Sequence, residues 1–319
     1  MATTSEALPG TVEDTLATRE PLTPTQLTWR RFRRHKMAMF GLFLIVLLIV
    51  YAVGGSFVFS EEYANTTDRT LTGGLLHGPS LQHPFGTDPT GRDLLARTIY
   101  GGQISLLIGL AAVLVSLVVG VTIGALSGYY GGWVDSILMR FTEAMLNIPQ
   151  LFLLIVAAKY LGDKVHNFEA FGREFSGSVI VIIVIIGFDS WMYLARIVRS
   201  QFLSLKEQEF VTAARCTGTS NLAIIAYHIL PNSVAPVIVN ATLGVANAIL
   251  TEAYISFLGL GVRQPTATWG NMLENANRYL ETAPWMWFFP GTLILITVLA
   301  INFVGDGLRD ALDPRTMVE

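Results

Sequence analysis

Charged side chains are scarce in this sequence, and cysteine is almost absent. Only 14% of the 319 residues are charged, whereas a soluble domain carries about 25%, so a water-covered surface is poorly supplied. The single cysteine, Cys216, excludes an intrachain disulfide and a zinc site built from cysteines. The net charge of −3 argues against a nucleic-acid-binding protein. No G-x-x-x-x-G-K-[S/T] phosphate loop occurs, so this common nucleotide-binding motif is excluded.

Long apolar runs, in contrast, are plentiful. Apolar residues make up 52% of the chain, and a helix of roughly 20 of them spans the hydrocarbon core of a membrane. We predict six transmembrane helices, at residues 37–59, 103–130, 137–158, 175–195, 233–258 and 284–304. A signal peptide is the competing interpretation of the first run. We favour a retained helix, because 36 residues precede the run and no convincing cleavage site follows it.

The basic residues orient this bundle. Six spans put both termini on one side, and with that side in the cytoplasm 13 of the 21 lysines and arginines are cytoplasmic. This bias agrees with the positive-inside rule. Most of it comes from the cluster just before the first span: Arg30, Arg31, Arg33, Arg34 and Lys36.

Composition divides the chain into four parts. Residues 1–26 have no apolar period and are predicted to be a disordered cytoplasmic tail. Residues 27–102 supply the first helix and an extracytoplasmic segment, and residues 103–305 form a five-helix core. Residues 306–319 are predicted to be a cytoplasmic tail.

The most informative stretch is the cytoplasmic loop at residues 198–232. Ser204 and Glu207 have the spacing of a capping box, which predicts a short helix at residues 205–216. Gly218 supplies the left-handed stop that often ends a helix. A second short helix at residues 221–227 is predicted to halt before Pro231.

The first of these short helices has a face suited to a partner protein. Phe210, Ala213, Ala214 and Thr217 lie at helical spacing, so small side chains there let a partner's backbone approach and Phe210 is available as an anchor. The alternative is an amphipathic helix that lies on the membrane. The face is small and poor in leucine and tryptophan, which speaks against that alternative.

The run FVTAARCTGTSNLAIIAYHILPN, residues 210–232, resembles the EAA loop of the permease subunits of ABC importers. The matching positions are Ala213, Ala214, Gly218, Leu230 and Pro231. By this resemblance the contacts with the ATPase subunits belong to seven residues: Glu209, Phe210, Thr212, Ala213, Ala214, Arg215 and Gly218. Thr212 replaces the glutamate usual in the family, which leaves its polar contact open.

Other stretches resemble the peptide and nickel branch of these importers. His228 replaces the usual isoleucine, a variant familiar in that branch, and HPFGTDPTGRDLLARTIYGGQISLLIGL (83–110) looks like the segment before its second helix. EAYISFLGLGVRQPTATWGNML (252–273) and NFVGDGLRDALDPR (302–315) look like its C-terminal third. The additional first helix with its ectodomain is typical of the second, C-type permease subunit.

The resemblance implies a fold, a set of partners and a location. The fold is that of an all-α type I ABC importer permease with six transmembrane helices, in a prokaryotic inner membrane. The partners are a B-type permease, two cytoplasmic ATPases and an extracytoplasmic peptide-binding protein. The chain then holds no cofactor and is not an enzyme, because ATP and magnesium are bound by the ATPases. Dipeptides or oligopeptides are the expected cargo, and nickel chelates or other small solutes are the alternative.

Asp88 and Pro89 have the arrangement of a helix N-cap and first position. We expect them to start a short outer helix that Gly101 and Gly102 interrupt before the second span. A structural elbow is the favoured interpretation of this segment, ahead of a contact with substrate.

Three carboxylates fall in or near predicted spans, where an unpaired charge costs at least ~2.5 kcal/mol. Glu143 is expected to pair with Arg140, and Asp189 to lie near Arg196. Glu252 is the best candidate for the wall of the translocation path, although it can equally satisfy a neighbouring helix. A proton-coupled carrier is the rival function, weakened because these charges form no graded series.

Overall fold

The computed structural model describes residues 23–70, 75–161, 164–170, 173–274 and 276–313. Residues 1–22 of the predicted N-terminal tail and residues 314–319 lie outside the described residues. The α-helices are α1 (Pro24–Arg34), α2 (Lys36–Ile49), α3 (Glu61–Asn65), α4 (Leu94–Tyr130), α5 (Gly132–Leu146), α6 (Gln150–Leu161), α7 (Ser178–Leu205), α8 (Glu209–Cys216), α9 (Asn221–Ala223), α10 (Val234–Phe257), α11 (Trp269–Met272) and α12 (Trp285–Leu312). Strands β1 (Phe168–Ala170) and β2 (Arg173–Phe175) form an antiparallel pair.

Five of the six expected membrane spans are confirmed, and the sixth depends on one bent helix pair. Among the described residues, five helical runs are long and apolar enough to cross a membrane: Lys36–Gly54, Leu94–Tyr130, Ser178–Leu205, Asn221–Phe257 and Trp285–Leu312. Helices α5 and α6 together make a sixth if the pair, which is bent by 84°, counts as one span. The bend lies at Asn147–Pro149, inside the predicted third span, where proline disfavours a continuous helix.

The interruption predicted at Gly101 and Gly102 is wrong. Helix α4 runs unbroken from Leu94 to Tyr130, so it also crosses the boundary drawn after residue 102. A Cβ atom on Gly101 would lie 3.1 Å from the backbone of Thr268, and one on Gly102 would lie 2.6 Å from the Trp269 ring. The glycines are therefore needed for close packing and not for a turn.

Two helices extend beyond their predicted ends. Helix α7 continues to Leu205, so residues 198–205 of the predicted loop are helical. Helix α12 continues to Leu312 and includes much of the predicted C-terminal tail. A helix stays hydrogen-bonded after it leaves an apolar environment, so the edge of an apolar run does not mark its end.

Helix α1 was not predicted. It takes in residues 24–26 of the expected tail and begins at a capping box formed by Thr23 and Gln26. Phe32 is buried against Ala38 of α2 and Ala311 of α12, and His35 lies 3.5 Å from Asp310. Hence α1 packs across the C-terminal end of α12.

Helices α4 and α7 pack against each other through glycines at every fourth position of α4. A Cβ on Gly120, Gly124 or Gly128 would lie 2.9, 2.5 or 2.6 Å from an atom of α7. Small residues at this spacing let two membrane helices approach until their backbones touch. Helices α4 and α7 are therefore in direct contact along this stretch.

The bundle has two distinct ends. At one, α4 and α7 terminate beside α8, and α1 meets the last turns of α12; we call it the α8 end. At the other, α3 contacts the first turns of α4, and Trp285 donates a hydrogen bond to the carbonyl of Thr87; we call it the α3 end.

Candidate functional site

Helix α8 stands at the α8 end with most of its side chains exposed to solvent. Its outward stripe consists of Glu209, Thr212, Ala213 and Cys216, at positions i, i+3, i+4 and i+7. Phe210 is 40% exposed at the edge of this stripe. Gly218 adopts φ +78° just after the helix, in the left-handed region, as predicted.

The predicted capping box is wrong. Ser204 lies in the last turn of α7, and α8 begins only after Gln208. Gln208 is the N-cap residue, and no side-chain hydrogen bond caps the helix there. Helix α7 extends through Ser204 instead of ending before a Ser204–Glu207 capping box. Its burial continues to Phe202, which is fully buried, and this packing stabilises the longer helix.

The predicted partner-facing set also needs correction. Ala214 is 7% exposed and points with Val211 into the bundle, whereas Phe210, Ala213 and Thr217 are exposed. Val211 and Ala214 join a cluster that contains Val198 and Phe202 of α7. Burial of these apolar groups fixes α8 on α7.

Tyr129, near the end of α4, holds both halves of the loop. Its hydroxyl donates a hydrogen bond of 2.8 Å to Asn221 Oδ1, and the Arg215 guanidinium lies 5.6 Å from its ring centroid, within cation–π range. The two sides of Gly218 are thereby tied to the same helix.

We expect Tyr129→Phe to lower the free energy of unfolding by about 1 kcal/mol, the contribution of a typical hydrogen bond. Tyr130→Phe is the matched control, because Tyr130 is exposed and its hydroxyl has no bond among the described residues. Denaturant titration of the two variants checks this. Equal losses in both would contradict the role given to Tyr129.

The second short helix of the loop does not halt before Pro231 as predicted. Residues Asn221–Phe257 form one helical run, which passes through a π-helical segment at Ile224–Ile229 and a 3-10 turn at Leu230–Ser233. These irregular turns accommodate the missing N–H of proline without ending the helix. The part of the loop from Asn221 onward and α10 therefore form one continuous helical run.

A cavity of about 1020 Å³ lies beside α5, α7 and α10. Its wall is mixed, and its polar side chains lie mainly on α7 and α10. Asp189, Tyr193 and Arg196 follow one another on α7 at spacings of four and three, and Asn240 and Asn247 are seven apart on α10. Polar residues on one face of a membrane helix commonly mark a path for polar cargo.

The charges around this cavity pair differently from the prediction. Asp189 accepts a hydrogen bond of 2.6 Å from Gln150 Nε2, and the described residues contain no ion pair between Asp189 and Arg196 or between Glu143 and Arg140. Arg199 instead forms two contacts of 2.6 Å with Asp135. That pair, joined by the Ser127 hydroxyl, ties α4, α5 and α7 together at the α8 end.

Glu252 is not on the cavity wall. It is fully buried and accepts hydrogen bonds from Ser256 at 2.7 Å, Thr268 at 2.8 Å and Ser105 at 3.4 Å. These donors come from α10, the segment before α11, and α4. The alternative given above, that Glu252 satisfies neighbouring helices, fits this geometry.

The segment before α4 forms the structural elbow at the α3 end, but with a different cap. Asp93, not Asp88, caps α4 by accepting from the Ala96 amide at 2.7 Å. Asp88 closes a turn by accepting from the Thr90 amide, the Arg92 amide and the Arg92 side chain. Burial alone would raise the pKa of Asp88; the Thr90 hydrogen bonds and the Arg92 charge outweigh it and lower that pKa.

We expect Asp88→Asn to destabilise the protein by about 2 kcal/mol at pH 7, the scale of hydrogen bonds to a charged group. Because the folded-state pKa is lowered, the carboxylate stabilises the fold above its ordinary pKa, and this contribution is lost as the pH falls through the lowered value. The wild-type and variant free energies of unfolding should therefore differ at pH 7, and the difference should shrink as the pH falls through the lowered pKa. A difference that persists in acid would contradict the assignment.

Sequence reasoning missed the α4 glycine repeat and the polar stripes of α7 and α10. The signal was present in both cases as a period of three or four residues within an apolar run. Tyr129 gave no such signal, because its partners lie 86 and 92 residues away and only the fold brings them together.

The bundle has the fold of a type I ABC importer permease. It superposes on a solved structure of the MetNI methionine ABC transporter in an inward-facing conformation, with a TM-score of 0.52. The match covers 67% of this chain and 96% of that chain at 17% sequence identity.

Family models make the assignment specific. Residues 120–318 match the family described as "Binding-protein-dependent transport system inner membrane component". Residues 23–81 match the "N-terminal TM domain of oligopeptide transport permease C". The chain therefore belongs to the family of binding-protein-dependent inner-membrane transport components.

Relatives of similar length agree. The chain is 40% identical to the dipeptide transport system permease protein DppC of Alkalihalophilus pseudofirmus, over 92% of this chain and 91% of that protein. It is 39% identical to the oligopeptide transport system permease protein OppC of Haemophilus influenzae, over 90% and 87%. The chain is thus a multi-pass membrane component of an ABC importer, as the EAA-loop resemblance implied, and the rival carrier is not supported.

Proposed function

We infer that this chain is one half of the translocation pathway of an ATP-driven importer of dipeptides or oligopeptides. The cargo is proposed from the relatives, which are peptide permeases by name. A nickel chelate or another small solute is the alternative cargo, to be separated by experiment.

The observation that carries the proposal is that α8 packs directly on the helix that lines the cavity. Helix α8 packs on α7 through Val211 and Ala214, and the same α7 carries Asp189 and Arg196 on the cavity wall. A displacement of α8 must therefore move one wall of the cavity. ATP drives transport only if it favours one arrangement of that wall over the other.

The partners and the orientation follow from the same proposal. Two ATPase subunits that bind ATP and magnesium grip the exposed side of α8, which places the α8 end in the cytoplasm. Both ends of the chain then face the cytoplasm, because α1 and the last turns of α12 lie at that end. A B-type permease closes the cavity from the other side, and an extracytoplasmic peptide-binding protein docks at the α3 end.

The test is reconstitution of the chain in liposomes with and without these partners. We expect peptide uptake only when the second permease, the ATPases, ATP and the loaded binding protein are all present. The purified chain alone should hydrolyse no ATP. Uptake by the chain alone that an uncoupler abolishes and ATP does not affect would overturn the proposal.

Cargo is tested separately in the same liposomes. Labelled dipeptides, longer peptides and a nickel chelate are offered with the cognate binding protein. Uptake of the chelate without uptake of peptides would leave the importer assignment intact and replace its cargo.

A further inference from the structure

We propose that α7 carries a pair of subsites for the two charged ends of a short peptide. Asp189 binds the protonated amino terminus and Arg196 binds the carboxylate. This inference rests on the proposed function, since it concerns the cargo in the cavity beside α7.

Asp189 is suited to hold a cation that the protein does not supply. The residue is 6% exposed, lies on the cavity wall, and forms no ion pair within the described part of the chain. Only Oδ2 accepts a hydrogen bond, from Gln150, and no described group donates to Oδ1. A carboxylate this deep in a membrane helix is costly without a counter-charge.

The groups beside Asp189 match the donors of an ammonium group. Gln150 donates through Nε2, so its carbonyl oxygen remains to accept. An ammonium has three N–H donors, which the free oxygens of Asp189 and Gln150 can share. Gln150 reaches this position because α6 begins just after the 84° bend, which brings a helix start beside Asp189. Asp189 is the twelfth residue of the 28-residue α7 and so lies near the middle of that helix.

Arg196 is the complementary group for a carboxylate. It lies on the same cavity wall and is exposed; among the described residues it pairs with no acid, whereas neighbouring Arg199 is held by Asp135. Asp189 and Arg196 are seven positions apart, which is about 10 Å along a helix. An extended peptide of three residues spans about 10 Å, so the spacing suits the termini of a dipeptide or tripeptide.

The other charged groups on this wall are Arg199, which is held by Asp135, and Glu143 of α5. Glu143 carries the same charge as Asp189, but no described residue orients its carboxylate as Gln150 orients that of Asp189. Glu143→Gln is therefore the charge-matched control for Asp189→Asn.

The experiment uses the assembled importer in nanodiscs, with Thr251→Cys as a reporter on the cavity wall. This cysteine is reacted with two methanethiosulfonate reagents, one with a cationic ethylammonium group and one with an anionic ethylsulfonate group. Peptide mass mapping follows each reaction and distinguishes labelling of the reporter from labelling of Cys216. We expect Asp189→Asn to lower the cation-to-anion rate ratio about tenfold and Arg196→Gln to raise it similarly. Equal effects of Glu143→Gln and Asp189→Asn would show a general field and overturn the subsite.

The same reporter tests peptide recognition without the binding protein. A free tripeptide should slow the labelling of the reporter more than its N-acetyl or C-amide forms do. In Asp189→Asn, the N-acetyl form should slow labelling as much as the free tripeptide does, while the C-amide form should still be weaker. In Arg196→Gln, the C-amide form should match the free tripeptide, while the N-acetyl form should still be weaker. Unchanged discrimination in both variants overturns the subsites, while peptide uptake by the wild-type importer would still support the proposed function.

Discussion

Gly218→Pro is expected to reduce ATP-driven uptake at least tenfold while the chain still inserts into the membrane. Gly218 has φ +78°, whereas a proline ring fixes φ near −65°. The backbone must therefore rearrange between α8 and α9, and the outward stripe of α8 loses its position relative to α7. A glycine is needed here for its backbone and not for space, since a Cβ would meet no atom within 4 Å.

Gly218→Asn is the matched control for this prediction. Asparagine enters the left-handed region at low cost, and the open surroundings admit its side chain. We expect the asparagine variant to retain most of the uptake in the reconstituted importer. Normal binding of the ATPases and normal uptake by the proline variant would refute the role of this turn.

Gly124→Leu is expected to have the largest effect on folding. A Cβ at this position would lie 2.5 Å from the Ala195 carbonyl oxygen and 2.7 Å from Val198 Cβ. Neither atom can move without separating α4 from α7, so the cost should reach about 3 kcal/mol or more. The expected result is a sharp loss of folded protein, measured by fluorescence-detected size exclusion and by thermal unfolding in detergent.

Gly291→Leu controls for the loss of a glycine from a membrane helix. Gly291 lies within α12, and a Cβ there would meet no atom within 4 Å. Leucine is also the better helix former, so this variant should be at least as stable as the wild type. If both leucine variants unfold at the same temperature, the glycine contact between α4 and α7 does not hold the bundle together.

The spans could be predicted from sequence because the requirement of the membrane is local. A run of about 20 apolar residues is enough to identify each one. The third span differs from the expected straight helix, because α5 and α6 meet at a bend at Asn147–Pro149. The ends of α7 and α12 could not be predicted this way, since they depend on packing beyond the apolar run. Gly101 and Gly102 show the same limit, because glycine at a turn and glycine under a Trp269 ring look alike in sequence.

In the candidate site, too, features set by nearby residues could be predicted from sequence, and features set by distant contacts could not. The EAA-loop motif located α8 and Gly218, because their spacing lies within a few consecutive turns. The orientation of α8 could not be predicted, since Ala213 and Ala214 are adjacent and only the cluster around Phe202 decides which of them is buried. Glu252 was ambiguous for a comparable reason: its three hydroxyl donors come from separate parts of the fold.

The central claim, that the outward stripe of α8 is gripped by the ATPase subunits, can be tested with the only cysteine of the chain. Cys216 belongs to that stripe and is exposed, so a maleimide reagent reports on it without any substitution in this chain. We predict that labelling of Cys216, followed by peptide mass mapping, is rapid in the permease pair and at least tenfold slower once the ATPases are bound. An unchanged labelling rate in a complex that transports peptide would contradict the account.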